Sequence, residues 1–484
     1  MMGRITRNTT YLTCAYIGQK ILALFYFIVI ARIIGASDLG KYAFAMAFAS
    51  LFGVFADLGL SQTLIREMAK NKERSQSYFS AVFSSKLFLS LITYAILVVT
   101  VNLLGYSETV RTMVYLSGIV MVLDSFILSF WGVFRSQQNL KYEAINIVIY
   151  QVIVLLIGFC VLWLKLGLVY LIVPFIFASL WSAFFSAILV GKKVGLKLIP
   201  KLERAVIKSL MRVSIAFALI GIFSRVYTYL DSILLSYLAG DAALGYYSAA
   251  YKLPAALVFI PSALAAAIFP AFSESFAIAK ERLKRIFDES MSVLAILAVP
   301  IGIGIAGISG EIIFKFYGAE YLPGVEALKI LGIAMIFVFL NYPIGALLNA
   351  CDRQKLNVSL YGATMCVNAA LNFLLIPKFS YVGAAIAFLI SHGLLFVVNL
   401  YFARQIINYS GARLFKILFK TVLSGLVMLA CVLMLKTRIN IFIVIAIAAP
   451  VYLIVLYLIR GFGKEQIKFF KEIFSRHANA VETD

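Results

Sequence analysis

Charge is scarce in this chain. Only 13% of its residues are Asp, Glu, Lys or Arg, and acids are the rarer sign, 22 against 43 Lys and Arg. A soluble domain carries about 25% charged and about 45 to 50% apolar residues. Here 63% are hydrophobic and the mean hydropathy is +0.98, which excludes a water-soluble globule. Histidine is nearly absent: His392 and His477 are too far apart along the chain to make a metal pair. With no His-rich cluster, nucleophile motif or phosphate-cradling glycine loop, neither a metal nor a cofactor is expected, and an enzyme finds no support. The five cysteines (Cys14, Cys160, Cys351, Cys366, Cys431) show no CxxC spacing. They are expected to be inert packing residues.

Apolar runs are what the chain has in abundance. A bilayer core about 30 Å thick takes about 20 apolar residues per helix, so 484 residues with short loops hold about 14 spans. The fold expected is an all-α polytopic membrane protein. The first run, Tyr11 to Ile34, is too long for a signal segment and lacks a small-residue cleavage site, so it reads as a retained first helix. The segments expected are an amino-terminal lobe of six spans (1–190), a basic inter-lobe loop (191–212), a second lobe of six spans (213–404), spans 13 and 14 (405–460) and a tail (461–484).

The net charge of +21 would suggest nucleic acid in a soluble protein, but here it sorts by loop. With the amino terminus inside, roughly 30 Lys and Arg fall in cytoplasmic segments and about 8 in external ones, the positive-inside bias. Both termini are therefore expected in the cytoplasm of a cell membrane. The richest inner segment carries Lys192, Lys193, Lys197, Lys201, Arg204, Lys208 and Arg212, as expected for orientation and contact with anionic lipids.

The two lobes repeat. Gly35-Ala36-Ser37-Asp38-Leu39-Gly40-Lys41-Tyr42 aligns without gaps on Gly240-Asp241-Ala242-Ala243-Leu244-Gly245-Tyr246-Tyr247, and the same register sets Lys20 opposite Arg225. Leu140 and Gly167 pair in the same way with Leu356 and Gly383. Six spans per repeat leave both copies in one orientation, the plan of parallel-repeat transporters with a central site near the midplane.

Ionisable groups in hydrocarbon cost at least about 2.5 to 3.5 kcal/mol each, so they face a cavity or a partner. Lys20, Lys86, Arg225 and Lys252 lie in spans 1, 3, 7 and 8, and Asp124 and Asp231 in spans 4 and 7. This basic balance points to an anionic passenger: Arg grips phosphate with two N–H groups and Lys acts as a point charge. For Lys20 the alternative is snorkelling to the cytoplasmic surface. Asp231 falls about 120° around the helix from Arg225, so the two are not natural partners. Asp231 is open either to pairing with Lys252 or to ion coupling, and Asp124 carries the same choice. Asn368 and Asn372, at i and i+4, form a polar strip for helix packing or a cavity wall. Pro254, Pro261 and Pro270 in span 8 are expected to kink it.

Arg32-Ile33-Ile34-Gly35 with Gly40-Lys41-Tyr42, then Asp57-Leu58-Gly59-Leu60 leading to Ile65-Arg66-Glu67, resemble the opening signature of the polysaccharide transporter family. That is the Wzx-type flippase group of the multidrug/oligosaccharidyl-lipid/polysaccharide superfamily. Asp231, Gly245 to Lys252 and Phe269-Pro270 are similar to its second-lobe opening, and Tyr317 to Tyr321, Asn368 to Asn372, Ile376-Pro377 and Gly383 to Ala385 to later landmarks. The resemblance implies a MATE-like fold of two six-helix lobes plus a terminal pair. It implies a flippase carrying a polyprenyl-(pyro)phosphate-linked oligosaccharide outward, with membrane lipids around it and the glycosyltransferases and polymerase of its pathway as partners. Arg225, Lys20, Lys86 and Lys252 would then contact the headgroup, and Asp231 and Asp124 would be candidates for H+ or Na+ coupling. A lipid II flippase or a cation-coupled drug exporter is the nearer alternative. A membrane-embedded glycosyltransferase or polymerase is the distant one, and it lacks the large external loop or acidic donor motif such an enzyme needs.

Overall fold

The structure, a computed structural model, describes residues 2–461 and 463 apart from 202 and 279, with side chains from residue 11 onward except at 277. The rest of the expected tail, with His477, lies outside the described residues. Among the described residues fifteen α-helices follow one another: α1 (Met2–Asp57), α2 (Leu60–Lys70), α3 (Ser75–Leu103), α4 (Glu108–Ser136), α5 (Lys141–Trp163), α6 (Val173–Leu189), α7 (Arg204–Ala239), α8 (Asp241–Leu257), α9 (Phe259–Ile278), α10 (Lys280–Gly307), α11 (Ser309–Phe316), α12 (Val325–Ala350), α13 (Gln354–Ile406), α14 (Gly411–Leu435) and α15 (Ile441–Leu458). No strand occurs among the described residues.

Twelve helical stretches among the described residues are long and apolar enough to cross a membrane, where about 14 spans were expected. The difference lies at two joints. Tyr11–Lys70 runs for 60 residues and Gln354–Ile406 for 53. At 1.5 Å per residue each would extend about 80 to 90 Å as a straight helix, well over twice the bilayer core. Each is bent instead, at Gly35 (φ 80°, ψ 172°) and at Ser380 (φ 51°, ψ −134°). The backbone angles at both joints are non-helical, so each long stretch contains two limbs.

The first repeat anchor has a backbone counterpart. Gly35 takes φ 80° and ψ 172°, and Gly240 takes φ 86° and ψ 176°. Only glycine visits that region at no steric cost. The leucines that follow, Leu39 and Leu244, are both fully buried. The joint turns because its glycine permits it and stays turned because its leucine packs.

The chain forms two compact units, Met1–Tyr237 and Leu238–Asp484. The span read from sequence as the opening of the second lobe, α7, therefore groups largely with the first unit. The basic segment is also shorter than 191–212. Helix α7 starts at Arg204, and a π turn over Val190–Val194 extends α6. Gln76 of α3 clamps what remains, accepting from the Lys197 amide at 2.8 Å and donating to the Lys197 carbonyl at 2.9 Å.

In the first unit α1 packs on α3, α4 and α5, and α4 packs on α2, α3 and α6. Phe79, Phe130, Trp131 and Phe134 form an aromatic core over the buried face of α2, to which Leu210 of α7 adds. In the second unit α12 is central, touching α8, α9, α10 and α13. Gly302 of α10 faces Gly332 of α12 so closely that a Cβ on Gly302 would lie 2.7 Å from the Gly332 carbonyl oxygen. Span 8 divides into α8 and α9 because Pro261 has no N–H for the Leu257 carbonyl. The terminal helices join this unit through α14 on α10, and Tyr452 of α15 donates to the Ile296 carbonyl at 3.0 Å.

Gly59 sits at φ 72° between α1 and α2, where an added Cβ would lie 2.6 Å from Phe217 Cβ and 2.7 Å from backbone atoms of Ala218 and Ser214. Gly105 has the same φ of 72° with nothing within 4 Å. We expect Gly59→Ala to cost about 2 kcal/mol or more through strain and overpacking, and Gly105→Ala to cost only the backbone part. Thermal unfolding of the two purified variants in detergent checks this; equal losses would remove the close approach of α7 as the cause.

Candidate functional site

The intramembrane charges expected to share one role are treated differently by the fold. Lys86 on α3 is fully buried. Its ammonium forms an ion pair with Asp57 at 2.5 Å, donates to Ser61 Oγ at 2.8 Å and donates to the Ser125 carbonyl oxygen. Asp57 in turn accepts from Ser61 Oγ at 2.6 Å and from the Ser61 amide at 3.3 Å. Expected as a headgroup contact, Lys86 instead joins the end of α1, the start of α2 and α4. All three protons of its ammonium have acceptors, as a buried Lys requires.

Arg225 is placed differently. It is half-buried near the middle of α7, with its guanidinium 5.9 Å from the centre of the Tyr229 ring. Asp124 stands on α4. Ser179 of α6 donates to the Asp124 carboxylate at 2.8 Å, and the Tyr150 hydroxyl of α5 lies 3.4 Å from Ser179 Oγ. Small serines recur along the buried face of α6, at Ser179, Ser182 and Ser186, and Ser182 takes a 2.7 Å hydrogen bond from Asn146. Serine at such spacing lets helices approach and supplies a hydroxyl to each polar neighbour.

Lys20 is exposed on α1. At the α4–α5 turn Arg135 grips the buried Glu143 carboxylate with two N–H groups, Nε to Oε2 at 3.0 Å and the second at 2.5 Å. This bidentate pair spans the α4–α5 turn. Sequence reading passed over it because both residues stand at loop ends, where charge is ordinary.

In the second unit buried asparagines form several of the interior side-chain contacts. Asn372 donates to Asn368 at 3.0 Å along α13, so the expected polar strip bonds within its own helix. Asn399 donates to Asn341 at 2.9 Å, and Asn341 donates to the His392 carbonyl at 3.2 Å, tying α12 to α13. Lys252 is half-buried on α8. Asp231, buried on α7, belongs to the first unit, so the pairing of Asp231 with Lys252 offered by sequence is between residues of different units. Glu289 of α10 meets Arg413 of α14 at 2.6 Å, at the base of the terminal helices.

The profile of a family described as polysaccharide biosynthesis protein matches residues 5–276. The capsular polysaccharide biosynthesis protein CapF of Staphylococcus aureus is 22% identical over 83% of this chain and 100% of its own length. A Haloferax volcanii protein named "Probable flippase AglR" is 24% identical over 81% of each. Among solved structures, the lipid II flippase MurJ in an inward closed conformation superposes with a TM-score of 0.77, covering 92% of this chain and 98% of that one at 16% identity. At that identity the likeness speaks for the fold.

Removing the Lys86 ammonium leaves the Asp57 carboxylate buried without its cation, which costs about 3 to 5 kcal/mol. We expect Lys86→Met to lower the unfolding temperature and membrane yield sharply and the double variant Asp57→Asn/Lys86→Met to recover most of both. A single variant that stays stable but loses transport would instead return Lys86 to the substrate.

Proposed function

The chain belongs to the family of polysaccharide biosynthesis proteins, and from that premise we propose that it is a flippase for a polyprenyl-(pyro)phosphate-linked oligosaccharide. It takes this lipid from the cytoplasmic to the outer leaflet of the cell membrane for assembly of a surface polysaccharide or glycan. Flipping is hard because a charged, hydrated headgroup must cross hydrocarbon while its tail can remain there. A wet cationic cavity lined by Arg225 and Lys20 answers the first requirement. A lateral opening to the bilayer answers the second.

The observation that carries the reading is the division of the first unit's cations. Lys86 is buried and paired, whereas Arg225 is half-buried and Lys20 exposed. The cations left accessible suit an anion. A cation-coupled drug exporter would place accessible acids there instead. The protein alternates between an inward-open state that binds phosphate and an outward-open state that releases it. An H+ or Na+ gradient, with Asp124 or Asp231 as the coupling group, is the proposed energy source, and the pathway's glycosyltransferases and polymerase are the proposed partners. The positive-inside bias supports a cytoplasmic position for both termini.

Arg225→Ala is expected to lower the appearance of lipid-linked glycan in the outer leaflet about tenfold or more, the value of a lost charged hydrogen bond. Arg225→Lys should keep an intermediate rate because it retains the charge and loses the bidentate grip. The measurement is made in cells with equal membrane levels of each variant; full activity in both variants overturns the proposal.

A further inference from the structure

We propose that a neutral niche between α12 and α13 of the second unit binds a hydroxyl group of the passenger's glycan. The inference rests on the reading of the chain as a flippase for a lipid-linked oligosaccharide. It adds a contact for the sugar, which the cations of the first unit do not supply.

The niche is built from two pairs of residues, each pair one helical turn apart. Gly345 and Asn349 stand at i and i+4 on α12, and Asn357 and Tyr361 at i and i+4 on α13, so each pair shares a face of its helix. A tight turn joins the two helices: the Arg353 amide donates to the Leu348 carbonyl at 2.9 Å, and Gln354 Nε2 donates to the Asn349 carbonyl at 2.9 Å. Asn357 reaches back across this turn and donates through Nδ2 to Asn349 Oδ1 at 3.0 Å. That bond fixes the amide and uses one of its two N–H groups. Asn357 is only 7% exposed, and its Oδ1 is buried without a hydrogen-bond partner. A buried acceptor left in that state costs stability, which is the mark of a group kept for a ligand rather than for packing.

Glycine supplies the room. A Cβ on Gly345 would find its nearest neighbours at 3.8 Å (Asn357 Nδ2), 3.9 Å (Asn357 Oδ1) and 3.9 Å (Tyr361 Oη). Three polar atoms therefore converge on a space that accepts one more heavy atom. An oxygen displaced about 1 Å from that point toward the Asn357 amide lies at hydrogen-bonding distance. The chemistry of these atoms selects the occupant. Calcium-like cations ask for carboxylates and phosphate asks for Arg or Lys, whereas an amide and a phenol are neutral. A sugar hydroxyl both donates and accepts, so it can give its proton to Asn357 Oδ1 and take one from the second Nδ2 hydrogen or from Tyr361. Asn349 and Tyr361 are half-buried, so the niche borders the surface of the unit. In the proposed topology the α12–α13 turn is cytoplasmic, the side from which the glycan enters.

Gly345→Ala fills the niche with a methyl group at ordinary contact distances, and alanine suits a helix better than glycine, so the fold is kept. Asn357→Ala keeps the room and removes the amide. The purified full chain in phosphatidylcholine nanodiscs is titrated with two probes: glycan-free undecaprenyl pyrophosphate, and the lipid-linked glycan extracted from cells in which the gene is deleted. Both variants are expected to weaken binding of the glycan-bearing lipid about tenfold, as the loss of one or two neutral hydrogen bonds does, and to leave the glycan-free lipid unchanged. Unchanged binding of the glycan-bearing lipid in either variant overturns the proposal and leaves the niche as a seat for water only. Equal weakening of both probes overturns it too, because the niche then acts on the fold and not on the sugar. No change of either probe in Arg225→Ala overturns the headgroup contact alone, since the comparison of the two probes still decides on the niche. Deletion cells that accumulate no lipid-linked glycan, or an unaltered chain that binds neither probe, overturn the flippase reading and this inference with it.

Discussion

A single ammonium group holds together the part of the first unit on which the rest is built. Lys86 binds Asp57 at the end of α1, Ser61 near the start of α2 and the Ser125 carbonyl in α4. Between those helices the chain turns through Leu58 (φ 43°) and Gly59 (φ 72°), a sharp reversal that interrupts the regular helical hydrogen bonding. In an apolar surrounding each polar group at such a turn must find an internal partner. Asp57 and Ser61 supply them, Thr63 returns its amide and hydroxyl to the Gly59 carbonyl, and Lys86 neutralises the acid that makes the arrangement possible. Because Gly59 then lies against the backbone of α7, the same joint also seats the helix that carries Arg225.

The two units share a backbone plan and differ in chemistry. Their first joints turn at glycines of nearly equal conformation, Gly35 and Gly240. Inside the first unit two interior contacts are ion pairs, Asp57 with Lys86 and Glu143 with Arg135. Inside the second, Asn341, Asn399, Asn368 and Asn372 bond as neutral amides, and the Glu289–Arg413 pair stands where the terminal helices attach. A neutral amide costs far less to bury than an ion, so it ties helices without asking for a counter-charge. The repeated architecture thus leaves the electrostatic work within the first unit to a few ions.

Much of the fold was legible from hydropathy because the bilayer asks so little of a span beyond length and apolarity. The apolar runs gave the helices, and the Gly35 and Gly240 turns gave the repeat. What could not be read was where a long apolar run bends: that depends on the backbone angles at the joint, as at Ser380 (φ 51°). Site residues were legible as a set, since intramembrane Lys, Arg and Asp are rare enough to stand out. Their pairing was hidden. Asp57 looked like part of a turn motif, and Ser179 carried no signal at all, because a serine in an apolar run is as common in plain helix packing.

Sequence alone therefore decided the class of molecule, its repeated halves and the small group of charges that any account of function must use. It could do so because hydrophobicity and helical period are local properties, set by neighbours along the chain. Tertiary structure decided which charges remain available. Lys86 is spent on Asp57, Asp124 takes a hydrogen bond from Ser179, and Asn372 bonds to Asn368 on its own helix. The ion-pair choices depend on distances between helices far apart in sequence, and electrostatic energy in a low-dielectric interior depends on those distances more steeply than on anything the residue types disclose.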